Sequence, residues 1–418
     1  VFIFMIMSVF VSLWDLYFLH ERKFMDYSLF TENAKNRNLL HVIINNMPDI
    51  KINNAQKTET QKWEENQNRI NNLILKQMTI NYKQNVGRNT MNRLRDIVII
   101  CYCCIIAIEG NLTVGVLMSI SYILGQLGGP IGQIQSLLTQ YQMFKVSMAR
   151  LSEVQRKENE QQGAQEMQID KFRHEILFSE VSFKYEGSFS PNIFEGLSIS
   201  FPANKMTAIV GNSGSGKTTL LKLIMGFYYP QKGKITIDET PLNEIDINSW
   251  RNCCGVVLQD GKIFSGTITE NITLGSEIID EKKIETVSKL ACIDEFIQKQ
   301  PGKYNMKIGS TGIELSQGQK QRILIARALY KDPQLLIFDE ATSSLDTVNE
   351  RRIMDNLKYY FMGRTVIVVA HRLSTVVNAD NIIFLENGKI AEQGTHKTLV
   401  AKKGKYYELI KNQLELED

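Results

Sequence analysis

The string GNSGSGKTT, residues 211–219, constrains this chain more than any other. It fits G-x-x-x-x-G-K-[ST], with Gly211, Gly216, Lys217 and Thr218 in the fixed places. Ahead of it lies KMTAIV, a short apolar run with β-branched residues, and behind it LLKLIMGF at helical spacing. Strand, glycine-rich loop and helix in that order is the setting in which such a loop holds phosphate. Glycine lets the backbone turn its N–H groups inward without Cβ clashes, and the helix N-terminus adds partial positive charge. Asn212, Ser213, Gly214, Ser215 and Thr219 complete the cradle. Lys217 is placed to reach the β- and γ-phosphates, and the Thr218 hydroxyl to bind Mg²⁺.

A nucleotide site that hydrolyses also needs a metal-directed carboxylate and a group that orients water, both at the carboxyl ends of neighbouring strands. The run PQLLIFDEATSSLD supplies them: residues 335–338 read as a buried strand that ends in Asp339 and Glu340. Adjacent carboxylates on an extended chain point to opposite sides, so they can hold different jobs. Asp339 is expected to bind Mg²⁺ through water and Glu340 to polarise the attacking water. TVIVVAHRL reads as another buried strand, whose end delivers His371 toward the γ-phosphate. CGVVLQD ends a strand at Gln259, an uncharged side chain able to bridge metal and water. Alone, His371 reads as a structural histidine; beside three other strand-end groups it reads as functional.

These residues closely resemble the ATP-binding cassette family. GNSGSGKTT looks like its Walker A, LLIFDE its Walker B, Gln259 its Q-loop, SSLD with Asp346 its D-loop and His371 its H-loop. Tyr185 in VSFKYEG stands where the family has an aromatic that stacks on adenine. LSQGQ, with Ser316, Gln317, Gly318 and Gln319, is similar to the family signature LSGGQ. The resemblance implies that this loop contacts the γ-phosphate held by a partner subunit, in a head-to-tail dimer with ATP and Mg²⁺ in the seam. Gln317 departs from the usual glycine, so its side chain must point away from phosphate.

With 418 residues, 43% of them apolar, the chain has room for a domain of about 250 residues and a second region. A net charge of +3, with no basic stripe interleaved with aromatics, gives no argument for nucleic acid. The six cysteines lack metal-ligand spacing with histidine and read as reduced, buried thiols.

Residues 1–150 read as a partial transmembrane domain, 151–168 as a polar linker and 169–418 as the cassette. VFIFMIMSVFVSLW has the character of a membrane helix whose beginning is missing, and the chain reads as a C-terminal fragment. The basic segment after it suits the cytoplasmic side. IVIICYCCIIAI, the polar EGNLT and VGVLMSISYILGQLGGPIGQI read as a helical hairpin. The first arm reaches the ~20 residues of a span only by extending back past Arg93, Arg95 and Asp96. Those residues then face a bundle interior or lie at the cytoplasmic interface. Gly125, Gly128, Gly129, Pro130 and Gly132 imply close packing, a kink or a break.

The expected fold class is thus an α-helical, exporter-type transmembrane segment followed by an α/β P-loop cassette. Helices and cassette on one chain resemble the family's half-transporter exporters, which implies a multi-pass protein of the cell membrane with its cassette in the cytoplasm. In those exporters a short loop helix presses on the cassette, and here it is expected between Phe24 and Asp49. MPDIKINNAQKTETQKWE, SYILGQLGGPIGQ and VVLQDGKIFSGTITENI are similar to the peptidase-containing exporters of peptides such as bacteriocins. The implied partners are a second copy or a paired half-transporter, a peptide substrate and membrane lipid. A lipid or drug exporter, and a cassette ATPase without a transport role, are the alternatives.

Overall fold

The computed structural model describes residues 2–155, 167–169, 171–187, 190–309, 312–341, 347–370 and 376–417. It divides into two compact units, Val1–Lys157 and Glu158–Asp418.

The first unit is helical: α1 (Phe2–Asn45), α2 (Met47–Ile52), α3 (Gln56–Ile108) and α4 (Val114–Gln155). The stretch expected to hold the loop helix is itself helical as far as Asn45, because residues 24–45 contain neither glycine nor proline. The chain breaks only at Asn46, where Pro48 in the first turn of α2 fits a new helix start better than a continued ladder. The short helix therefore lies at the far end of the expected window and runs beyond it. Asn54 closes it in the left-handed conformation, φ +49°, which asparagine tolerates.

Polar side chains tie α1 to α3. Gln84 donates to Asp15 Oδ1 at 2.8 Å, Arg22 Nε to Asn81 Oδ1 at 2.8 Å, Gln77 to Asp26 Oδ1 at 2.6 Å and Asn66 to Glu32 Oε2 at 3.2 Å. Partner numbers on α3 fall as those on α1 rise, so the helices run antiparallel. Gly87 admits the Trp14 ring: a Cβ there would lie 2.4 Å from it. Of the two placements open to the arginine cluster, Arg95 takes the interior one, buried with its guanidinium 4.4 Å from the Phe4 ring centroid and 2.9 Å from Asp96. Arg93 is exposed.

Among the described residues, no helix is long and apolar enough to cross a membrane. Helix α4 runs unbroken through its glycines and Pro130. A Cβ at Gly125 or Gly129 would meet nothing within 4 Å, so packing inside this chain does not require either glycine.

The second unit stacks two sheets. Its strands are β1 (Glu175–Phe183), β2 (Phe194–Pro202), β3 (Met206–Val210), β4 (Lys232–Ile237), β5 (Thr240–Pro241), β6 (Cys254–Val257), β7 (Gly266–Thr267), β8 (Lys307–Ile308), β9 (Leu335–Asp339), β10 (Thr365–Val369), β11 (Asn381–Glu386) and β12 (Lys389–Gly394). A six-stranded sheet has the order β12-β11-β3-β10-β9-β6, parallel except for β12, and a four-stranded antiparallel sheet the order β2-β1-β4-β5. The helices used below are α5 (Lys217–Ile224), α6 (Ile247–Asn252), α7 (Ile268–Ile272), α8 (Glu281–Leu290), α9 (Asp294–Gln298) and α10 (Gln317–Tyr330).

Alternation divides the apolar side chains between two cores. Ile209, Leu335, Ile337, Ile367 and Val369 pack with α5 and the antiparallel sheet, whereas Ala208, Val210, Leu336 and Phe338 pack with the helices that include α8 and α10. A strand buried on both faces reads as the continuous apolar run seen in β9 and β10. Register then aligns the strand ends, pairing Asp339 with Val369, Val369 with Ile209, and Phe338 with Val257. The residues just after β3, β6, β9 and β10 are thereby gathered on one edge of the sheet.

Candidate functional site: a nucleotide site at the strand ends

The loop after β3 has the shape that its glycines predict. Gly211 (φ +149°) lies so close to the neighbouring strand that a Cβ would sit 2.1 Å from the Leu385 carbonyl oxygen. Gly216 (φ +103°) caps α5, and a Cβ there would fall 2.7 Å from the Phe194 ring. Gly214 is also left-handed, at φ +81°. Lys217 is buried and donates to the carbonyls of Gly211 and Asn212 at 2.8 and 3.0 Å, closing the loop on itself. Burial lowers its pKa, while the charges of Glu340 and Asp339 oppose that change. Ser215 is buried with no hydrogen-bond partner for its hydroxyl.

The two carboxylates have different neighbours. Asp339 continues the face of Leu335 and Ile337, toward Thr218 and Lys217. Burial raises its pKa, the Thr218 hydroxyl and Lys217 oppose the rise, and Glu340 adds to it. Thr218 lies close enough to favour the charged form, yet neither Asp339 oxygen, both buried, receives a well-formed hydrogen bond. Buried carboxylate oxygens without donors, next to a hydroxyl and a phosphate loop, fit a hard cation with oxygen ligands. Thr218 and Asp339 are therefore the residues that could hold Mg²⁺.

Glu340 follows in a left-handed conformation, and its Oε2 accepts a hydrogen bond from Gln259 Nε2 at 2.9 Å. Gln259, expected at the metal, donates here to that carboxylate. Tyr185 lies beside the loop, its hydroxyl 3.2 Å from Thr219 Oγ1. The Phe183 and Tyr228 rings each meet it edge-on with centroids 5.1 Å away. His371 and Asp346 lie outside the described residues.

Ser316 to Gln319 open α10, away from this cluster in sequence but with a defined geometry. The Ser316 hydroxyl accepts from the Gln319 amide at 3.3 Å, and the Gln319 side chain accepts from the Ser316 amide at 2.9 Å. This is a capping box, legible in the S-x-x-Q spacing but missed by the sequence reading. It leaves the Ser316 hydroxyl proton free to donate outward. Gln317 is exposed at the first helical position. Sequence reasoning also missed Gln321, buried on α10, whose Nε2 donates to the Glu340 carbonyl at 3.4 Å.

Residues 194–343 match the family described as ABC transporter, and residues 1–131 the ABC transporter transmembrane region. The chain belongs to the ABC transporters. Its cassette is that of an ATP hydrolase. This ABC transporter chain is 35% identical over 381 residues to the alpha-hemolysin translocation ATP-binding protein HlyB of Escherichia coli, covering 90% of this chain and 53% of that one. It is 41% identical over 297 residues to the toxin RTX-I translocation ATP-binding protein of Actinobacillus pleuropneumoniae, covering 71% and 42%. The chain spans about half the length of the curated relatives it matches. Among solved structures it resembles a bacterial Atm1-family ABC exporter with ATP bound, with a TM-score of 0.89 and 27% identity over 98% of this chain and 71% of that one.

Proposed function

We propose that this chain couples ATP hydrolysis to export of a peptide or protein across the cell membrane, with the cassette on the cytoplasmic side. The observation that carries the proposal is the gathering of Lys217, Asp339, Glu340 and Gln259 at one sheet edge, in a chain whose other region matches an ABC transporter transmembrane region. The relatives named for translocation of hemolysin, RTX-I toxin and leukotoxin support a polypeptide substrate, and a bacteriocin-like peptide is the finer form of that reading.

In this scheme Lys217 and the loop amides bind the phosphates, Tyr185 stacks on the base, and Thr218 and Asp339, with Gln259 beside them, hold Mg²⁺. The cation supplies charge neutralisation at the phosphates when bound. Glu340 polarises the attacking water, Gln259 orients that carboxylate, and His371 reaches the γ-phosphate. Two cassettes pair head to tail, so that Ser316, Gln317, Gly318 and Gln319 of one face the ATP of the other, and Asp346 communicates across the seam. ATP contacts both halves and favours the closed pair, whereas hydrolysis removes the shared γ-phosphate and favours opening. Removing the Glu340 carboxylate tests the scheme. Glu340→Gln is expected to lower phosphate release at least ~100-fold while ATP still binds and holds a closed dimer. Wild-type turnover in that variant would overturn the assignment.

A further inference from the structure

Glu340 has φ +50°, a left-handed conformation that a long side chain rarely adopts. Such a residue persists where its surroundings over-determine it. Here the Glu340 amide donates to the Val369 carbonyl at 3.2 Å, Gln259 donates to the Glu340 carboxylate, and Gln321 donates to the Glu340 carbonyl at 3.4 Å. The first two contacts come from neighbouring strands of the same sheet edge. The third comes from α10, the helix that Ser316 caps.

Gln321 is an expensive residue for its place. It is 3% exposed, it precedes the buried Ile323, Leu324 and Ile325, and its Oε1 is buried without a partner. An apolar side chain of similar length would avoid leaving that oxygen unpaired. What the amide adds is a donor aimed at the backbone of the one left-handed residue in the cluster of strand-end carboxylates.

We propose that Gln321 is a positioning residue, tying the helix that begins at the signature loop to the backbone of Glu340 in the same cassette. A shift of the α10 N-terminus, where Ser316 and Gly318 would meet the partner's nucleotide, is then felt at the carboxylate that serves the chain's own nucleotide. The link is short and stiff: Gln321 lies in the second turn of a helix whose first turn is locked by the capping box. The inference rests on the reading of Glu340 as the group that polarises water.

The test is steady-state ATPase of the whole chain in lipid or detergent, comparing Gln321→Leu, Gln321→Met and Glu340→Gln, with rates corrected for the fraction that binds ATP. Loss of the donor is expected to lower kcat about tenfold and to leave KM for ATP unchanged. The melting temperature should not fall, because the unpaired oxygen goes with the amide. In combination, Ser316→Ala and Gln321→Leu are expected to cost less than the product of their separate effects. Wild-type kcat in Gln321→Leu overturns the proposal, as does failure of both apolar variants to fold, which would make Gln321 a core residue only. Strictly multiplicative effects would break the link to the signature loop. If Glu340→Gln is inactive while Gln321→Leu is normal, only this inference fails; if Glu340→Gln turns over normally, the reading beneath it fails.

Discussion

The helical unit buries polar side chains beside apolar ones such as Val11, Phe18 and Ile70, whereas the buried set of the cassette is mainly apolar. Between α1 and α3 lie Asn66, Gln84 and Arg95, the last only 3% exposed, while Phe10, Leu16 and Tyr17 on α1 face outward, Tyr17 at 69%. In the cassette the buried set is Ile, Val, Leu and Phe, and its chemically active polar groups, Lys217, Asp339 and Glu340, collect where strands end. Water explains the second pattern, since removing apolar surface from it is what drives folding there. In the first, interhelical hydrogen bonds such as Gln84 to Asp15 and Asn66 to Glu32 join α1 to α3 beside the apolar contacts.

The contrast can be broken most readily in the cassette. Trp250 on α6 is fully buried, donates to the Ile224 carbonyl at 2.8 Å and meets Phe172 edge-on at 5.7 Å. Trp250→Ala is expected to destabilise the cassette by about 3–5 kcal/mol, read from denaturant unfolding. A cost below about 1 kcal/mol would mean that apolar packing does not hold this unit.

Asp339 is the place where the cassette departs from its own rule. Burial raises its pKa above the ordinary value of 3.8. In the nucleotide-free protein its contribution to stability is therefore complete below pH 3.8 and is lost as pH rises through the raised value. Asp339→Asn removes the buried charge, so it is expected to raise the melting temperature of nucleotide-free protein at neutral pH. The same change is expected to weaken Mg²⁺ support of ATPase about 10–100-fold, measured by titrating the cation. A lower melting temperature together with unchanged Mg²⁺ dependence would count against this account.

The smallest effect is expected in the helical unit, and its sign sharpens the comparison. Gln84→Leu deletes the hydrogen bond to Asp15 and leaves a carboxylate against a leucine. In lipid the loss is expected to be about 0.6–2 kcal/mol, read from unfolding in mixed micelles. A gain in stability would place α1 and α3 under the same apolar packing as the cassette.

The cassette was legible because its elements are local and its site is assembled from strand ends. An apolar run followed by a Gly-rich loop, by Asp339 and Glu340 or by Gln259 already names the edge of the sheet. The alternation of Leu335 to Phe338 likewise assigns Asp339 its side, whereas the left-handed Glu340 lies outside that rule. The helical unit was less legible, since its decisive contacts, Asp15 with Gln84 and Arg95 with Phe4, join residues far apart in sequence that carry no motif. The expected window for the loop helix reached only the start of α2, because helical composition does not mark where a helix stops, whereas Pro48 does. The contact between Gln259 and Glu340 was hidden for a similar reason, since only the fold brings the two within 2.9 Å.

By itself the sequence determined the phosphate loop, the order of the strand-end groups and the division into a helical region and a cassette, because backbone preference, glycine geometry and side-chain periodicity act over a few residues. Only the tertiary structure decided which polar residues of α1 and α3 meet, that Glu340 stands in a left-handed conformation, and that Gln321 reaches it. Those outcomes depend on strand register and on how helices pack, which no short stretch of chain can fix.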